Sequence, residues 1–231
     1  MSQQELERIG AVLHGHFLLT SGKHSDLYFE KFRLLGQPAL LEQAVSAMLA
    51  NLPREAVAAA QVVVGPTLGG VLVAYEVARQ LGVRALYAER EGDGRAFRRG
   101  SLLEPNTPAL VVDDVLTTGT SIREVLALLE GYRTQVVGIG VLIDRSESPL
   151  AFGAPLASAL RLPAQTYPPD ECPLCRQGVP LTKRGSRGEF APESPLYGAK
   201  SCNFRMPPQV YFASITIGVC GLPVHIIPEG G

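Results

Sequence analysis

The chain has 231 residues, 46% of them apolar, with 22 acidic against 21 basic side chains and a formal net charge of −1. That length suits one α/β domain with a full core and an appendage, and the apolar share excludes a globally disordered chain. A charge near zero excludes a molecule built to coat nucleic acid or an anionic membrane, and no apolar run reaches the roughly 18 residues of a membrane span.

The first residues are polar and acidic, unlike a signal peptide, so the expected location is the cytoplasm. Ser2 and Glu5 have capping-box spacing, and Leu6, Ile9, Val12 and Leu13 continue a helical stripe. Residues 20–25 (TSGKHS) are polar and turn-forming, and residues 27–32 are strand-like. Taken alone, this stretch is a hairpin turn with a solvated Lys23. Residues 38–52 predict an amphipathic helix with Leu40, Leu41, Val45, Met48 and Leu49 on one side. Val62, Val63 and Val64 predict a buried strand, residues 65–70 (GPTLGG) a glycine-rich loop, and residues 71–81 a helix. Strand, glycine loop and helix start can together cradle an anion. Residues 84–88 predict a further strand. Residues 89–100 are charged and glycine-dotted, with Arg90, Arg95, Arg98 and Arg99 and little apolar surface to fix them. Such a loop is expected to be mobile when empty and to close as a cationic lid.

Residues 109–121 (ALVVDDVLTTGTS) concentrate the chemistry. Four apolar residues predict a buried strand, Asp113 and Asp114 follow, and Val115 and Leu116 lead into a hydroxyl loop. That loop holds Thr117, Thr118, Gly119, Thr120 and Ser121, and Ile122, Val125, Leu126 and Leu129 then open a helix. Backbone N–H groups at a helix start, with neighbouring hydroxyls, suit a phosphate. Two carboxylates beside it need neutral donors or a cation, and a vicinal diol with Mg²⁺ held by the same ligand satisfies them. The ligand so described is a sugar phosphate.

Residues 135–143 predict a buried parallel strand. Asp144 and Arg145 stand at its carboxyl end, where open α/β sheets bind ligands. A guanidinium there can fork onto a planar carboxylate. Residues 156–160 suggest another short strand. All four cysteines follow residue 170. Cys172 and Cys175 form a Cys-x-x-Cys pair, and a tetrahedral zinc site built on them would take Cys202 and Cys220, at unusual spacing, so the four are read as reduced structural thiols. Residues 210–219 suggest a strand, and nothing from 188 to 231 is catalytic by residue type.

The segment VVDDVLTTGTS resembles the phosphoribosyl pyrophosphate (PRPP) signature of type I phosphoribosyltransferases. Residues 20–25 with the aromatics after them, the lid segments YAERE and FRRG, and residues 172–187 resemble orotate phosphoribosyltransferases in particular. The resemblance covers about residues 1–187 and leaves 188–231 as an extension. It implies an α/β fold of type I phosphoribosyltransferase kind: a central parallel sheet of about five strands flanked by helices, with a small hood from residues 1–35. It implies transfer of ribose 5-phosphate from PRPP to orotate, giving orotidine 5′-monophosphate and pyrophosphate. Asp113, Asp114 and Arg90 are then the catalytic candidates. PRPP would be held by Asp113, Asp114, Val115, Leu116, Thr117, Thr118, Gly119, Thr120 and Ser121, with Leu68, Gly69, Arg90, Arg98 and Arg99 around the diphosphate. Orotate would meet Thr117, Arg145, Lys23, Tyr28 and Phe29. Mg²⁺ would arrive on the substrate rather than on a protein metal site. A homodimer with shared active sites is implied, with neither nucleic acid nor membrane as partner. Irregular backbone, including a non-proline cis peptide near Leu68–Gly69, is also implied. Thr20 departs from members that carry a lysine before the Ser-Gly pair. The rivals are a purine phosphoribosyltransferase and a PRPP-sensing regulator of the same fold.

Overall fold

The structure is a computed structural model that describes residues 1–98 and 103–184, with the backbone alone at 218–219 and 222–223. Ser2 and Glu5 cap α1 (Gln3–Arg8) reciprocally, as their spacing predicts. The helix stops short of the apolar stripe. Gly10 takes a φ of +70°, and Val12 and Leu13 lie in β1 (Val12–Leu18) instead. β1 turns back into β2 (His24–Phe29), antiparallel, with a bulge between His14 and Phe17. The strand expected over 27–32 ends at Phe29, because the chain enters α2 (Lys31–Leu35). After α3 (Pro38–Ala50) and α4 (Arg54–Ala59) come β3 (Val62–Pro66), α5 (Gly69–Leu81), β4 (Arg84–Glu91) and β5 (Gly94–Ala96). Then follow β6 (Pro108–Leu116), α6 (Thr120–Gly131), β7 (Gln135–Asp144) and β8 (Leu156–Arg161). β9 (Thr166–Tyr167), α7 (Pro173–Arg176) and β10 (Thr182–Lys183) end the continuous part.

Alternation decides how the main sheet is covered. Along β6, Leu110 and Val112 join one buried cluster with α3 and α5, while Ala109 and Val111 join another with α6. A strand buried on both faces belongs in the middle of a parallel sheet. The strand order is β5-β4-β3-β6-β7-β8. β4, β3, β6, β7 and β8 run parallel, matching the expected five, and β5 adds an antiparallel edge. β4 continues to Glu91 and pairs with β5 in the register Arg90↔Arg95. The first part of the expected lid, residues 89–96, therefore lies in the β4–β5 hairpin. Arg99 and Gly100 lie outside the described residues.

The hood is larger than residues 1–35. Its sheet has the order β10-β1-β2-β9, so two short strands from beyond β8 complete it. The chain divides into two compact units, Met1–Glu189 and Phe190–Gly231. In the second, β11 (Gly218–Val219) pairs with β12 (Leu222–Pro223). The rest of the strand expected over 210–219, together with Cys202 and Cys220, lies outside the described residues. Among the described residues no helix is long and apolar enough to cross a membrane.

Candidate active site

The acid pair and the hydroxyl loop face each other across the β6–α6 junction. Asp113 and Asp114 are each 5% exposed. The Ser121 hydroxyl donates to Asp113 Oδ2 at 2.5 Å, and the Asp114 N–H donates to Asp113 Oδ1 at 2.8 Å. The Val115 N–H donates to Asp114 Oδ1 at 2.7 Å, while Lys31 Nζ lies 2.7 Å from Asp114 Oδ2. Burial, and next the charge of Asp114, pushes Asp113 up to about 6, against the opposing pull of Ser121, the Asp114 amide and Lys31. α6 opens at Gly119 with a φ of +77° and no side-chain cap. A Cβ at Gly119 would also sit 2.6 Å from Phe152 Cζ, so only glycine fits this corner. The first N–H groups of a helix lack intrahelical acceptors, which leaves this start suited to an anion. Thr118 and Thr120 put their hydroxyl oxygens 2.9 Å apart there. Leu116 is a core residue at 1% exposure and Val115 packs partly buried against the core, so Leu116 offers a ligand only backbone at most.

The second glycine loop packs directly onto the acid pair. A Cβ at Gly69 would fall 1.5 Å from Asp114 Oδ2, and one at Gly70 would lie 3.1 Å from Asp113 Oδ1. A non-proline cis peptide joins Thr67 to Leu68, one bond earlier than expected, and Leu68 is 76% exposed. The β3–α5 and β6–α6 loops therefore border one space at the carboxyl edge of the sheet.

Beside the phosphate loop lies a cleft of about 620 Å³ whose walls include Thr20, Ser21, Lys23, Thr117, Thr118 and Arg145. The hairpin turn between β1 and β2 thus meets the main sheet here. Arg145 Nη2 donates to the Leu27 carbonyl at 3.1 Å, but its buried Nε has no partner. Burial lowers the Arg145 pKa from the ordinary guanidinium value. Lys23 sits on the rim, 3.4 Å from Glu147. The two aromatics expected at the base are not in this lining. Strand alternation sends Phe29 into the core at 7% exposure, so it is a packing residue. Tyr28 instead stacks obliquely on Phe17, ring centres 5.6 Å apart, and its burial pushes the phenol pKa up.

Among the described residues, the lid arginines Arg90, Arg95 and Arg98 are already paired. Arg90 Nη2 donates to both carboxylate oxygens of Glu124 at 3.3 Å. Arg95 is 4% exposed, donating to Glu124 at 3.0 Å and to the Ala88 carbonyl at 2.9 Å. Arg98 meets Glu91 at 2.9 Å. Two partners escaped the sequence: Lys31, one turn beyond the aromatics, and Glu124, one turn into α6. Each is an ordinary charge on a helix surface until the fold brings an opposite charge to it.

A parallel sheet whose carboxyl edge joins a phosphate loop, an acid pair and a glycine loop defines a type I phosphoribosyltransferase. Residues 35–154 match the family model described as a phosphoribosyl transferase domain. The chain is 46% identical over 188 residues to the orotate phosphoribosyltransferase of Thermotoga petrophila, covering 81% of this chain and 99% of that one. With the orotate phosphoribosyltransferase of Desulforamulus reducens it shares 44% over 180 residues, covering 78% and 93%. The solved orotate phosphoribosyltransferase from Aeropyrum pernix superposes with a TM-score of 0.57 at 30% identity, covering 70% of this chain and 94% of that one. The chain belongs to the orotate phosphoribosyltransferase family.

Proposed function

We propose that this chain transfers ribose 5-phosphate from PRPP to orotate, releasing pyrophosphate and orotidine 5′-monophosphate. A ring nitrogen of orotate gives up its proton to solvent or to the departing diphosphate and forms the new bond to the anomeric carbon, while the bond to the pyrophosphate oxygen breaks, the leaving group keeping the electron pair. Charge then develops on the sugar ring as in an oxocarbenium ion, so positioning and charge neutralisation are the protein's main contribution. In this scheme the loop from Thr117 to Ser121 holds the 5-phosphate. Asp113 and Asp114 face the ribose diol, Lys31 leaving Asp114 as the diol arrives. The loop at Leu68–Gly69 and the lid residues Arg90 and Arg98 take the diphosphate. Arg145, with the turn that carries Thr20, Ser21 and Lys23, orients orotate.

Magnesium fits this site as part of the substrate. Mg²⁺ takes oxygen ligands, and it would enter on the diphosphate and diol that face Asp113 and Asp114. The Asp113 carboxyl is raised first by burial and next by the charge of Asp114, and an incoming cation would favour its ionised form. When bound, the metal would neutralise charge on the departing diphosphate.

The observation that carries the choice of orotate is Arg145: a half-buried guanidinium with an unpartnered Nε on the wall of the cleft next to the phosphate loop. Orotate has a planar carboxylate to meet it, whereas a neutral purine ring leaves it unpaired. A homodimer in the cytoplasm is the setting this function implies. An exposed apolar stripe of Leu68, Leu72 and Tyr75 at the start of α5 supports the pairing of two copies. The test is loss of orotate absorbance with PRPP and Mg²⁺, run beside adenine, guanine, hypoxanthine and uracil. Turnover is expected with orotate alone, and turnover of a purine without orotate would overturn the assignment.

A further inference from the structure

Four metal-binding side chains meet under the hood, away from the acid pair. His16 on β1 and His24 on β2 are 2% and 5% exposed, and Cys172, just before α7, is fully buried. His16 Nε2 lies 2.9 Å from His24 Nδ1 and 3.4 Å from Cys172 Sγ. Cys175 Sγ lies 3.7 Å from His16 Nε2 and 3.3 Å from His24 Nδ1. All four donor atoms fall within 4.8 Å of one another, and both cysteines are free thiols.

We propose that His16, His24, Cys172 and Cys175 form a structural zinc site. A tetrahedral zinc ion with Zn–S of about 2.3 Å and Zn–N of about 2.0–2.1 Å sets sulfur and nitrogen about 3.5 Å apart, which the sulfur–nitrogen separations here bracket. The donor set selects the metal: two thiolates with two imidazoles suit zinc and reject magnesium. Four protein donors leave no open position, so the ion would serve structure and not chemistry. An outer partner is also in place. His16 Nδ1 lies 2.8 Å from the Val179 carbonyl. A carbonyl only accepts, so Nδ1 is the donor there and Nε2 is the atom that would face the metal.

The sequence hid this set because its halves are some 150 residues apart, and because two histidines stand where two more cysteines were sought. The β1 bulge before Phe17 and the Cys-Pro-Leu-Cys turn bring them together. The site would clamp residues 172–175 to the β1–β2 hairpin, whose tip supplies Thr20, Ser21 and Lys23 to the cleft. It would thus brace one wall of the orotate pocket from behind.

The test uses the full chain purified anaerobically from zinc-supplied cells. Elemental analysis is expected to find about one zinc per chain, and cobalt substitution to give thiolate-to-cobalt charge transfer with the strong visible bands of a tetrahedral site. The Cys172→Ser/Cys175→Ser double variant should lose both signals, whereas Cys202→Ser/Cys220→Ser should keep them. His24→Cys should retain the metal and move the cobalt spectrum toward a three-thiolate set, which separates lost ligation from lost folding. Wild-type protein without zinc and without the cobalt spectrum would overturn the proposal. So would a Cys172–Cys175 disulfide in that protein, or loss of metal on changing Cys202 and Cys220.

Discussion

Arg145 and Asp113 are each held in a state that a ligand would relieve. The Arg145 Nε is buried without an acceptor, and a charge-assisted hydrogen bond contributes about 1.5–3 kcal/mol. Arg145→Ala is therefore expected to weaken orotate binding on the order of 10–100-fold while PRPP binding stays nearly unchanged, as calorimetry with each substrate will report. Arg145→Lys should not restore it, because a point charge lacks the planar fork. Loss of both affinities together would make Arg145 structural. Asp113 differs in sign. Its folded pKa, about 6, stands above the unfolded 3.8, so the folded state holds the proton more tightly. The stability this confers is fully present below about pH 4 and is lost as pH rises through about 6. Asp113→Asn, which cannot ionise, should make the ligand-free protein more stable than wild type at pH 7.5, on the order of 1–3 kcal/mol, with the difference vanishing near pH 4. The same variant should lose turnover. Equal melting temperatures at both pH values would show that the acid pair is not strained in the empty site.

At the scale of elements, the two strand-to-helix junctions work only while their backbones stay close. A methyl at residue 69 would fall on Asp114 Oδ2, and both the loop and the carboxylate are held by other contacts. A displacement near 1 Å at reacting groups costs on the order of 100-fold in rate. Gly69→Ala is thus expected to lower kcat/KM for PRPP by about that factor with an unchanged circular dichroism spectrum, and a near-normal rate would mean that the loop stands clear of the substrate. Both junctions were legible in the sequence because strand, loop and helix start are contiguous there. So was the parallel core, since residues 109–112 are apolar without a break and leave the strand no wet face there. The rest depended on distance along the chain. β9 and β10 are two residues each, too short for any period, and exist only because β2 and β1 offer them open edges. Phe29 carried an aromatic signal, yet the alternation of β2 set its direction. The lid's charge was plain from its composition, but the ion pairs of Arg90 and Arg95 depend on Glu124 in α6, which composition cannot reveal.

At the scale of the whole molecule, Leu68, Leu72 and Tyr75 recur at helical spacing on one face of α5 and its entry, 76%, 43% and 60% exposed. Apolar side chains clustered in this way at a helix start mark an interface more often than a bare surface. The face adjoins the glycine loop of the site, so a second copy seated there would stand beside the diphosphate. Leu72→Arg/Tyr75→Glu should halve the sedimenting mass and lower turnover together. A shared site makes a stronger demand. If the lid of one copy closes over the other, Asp113→Asn and Arg90→Ala/Arg98→Ala are each inactive alone but complement when mixed and re-equilibrated. Half of the random dimers are then mixed, and each holds one site with an intact acid pair and an intact lid, so activity should return to about one quarter of wild type. If each lid serves its own chain, every site in the mixture lacks one part, and no activity returns.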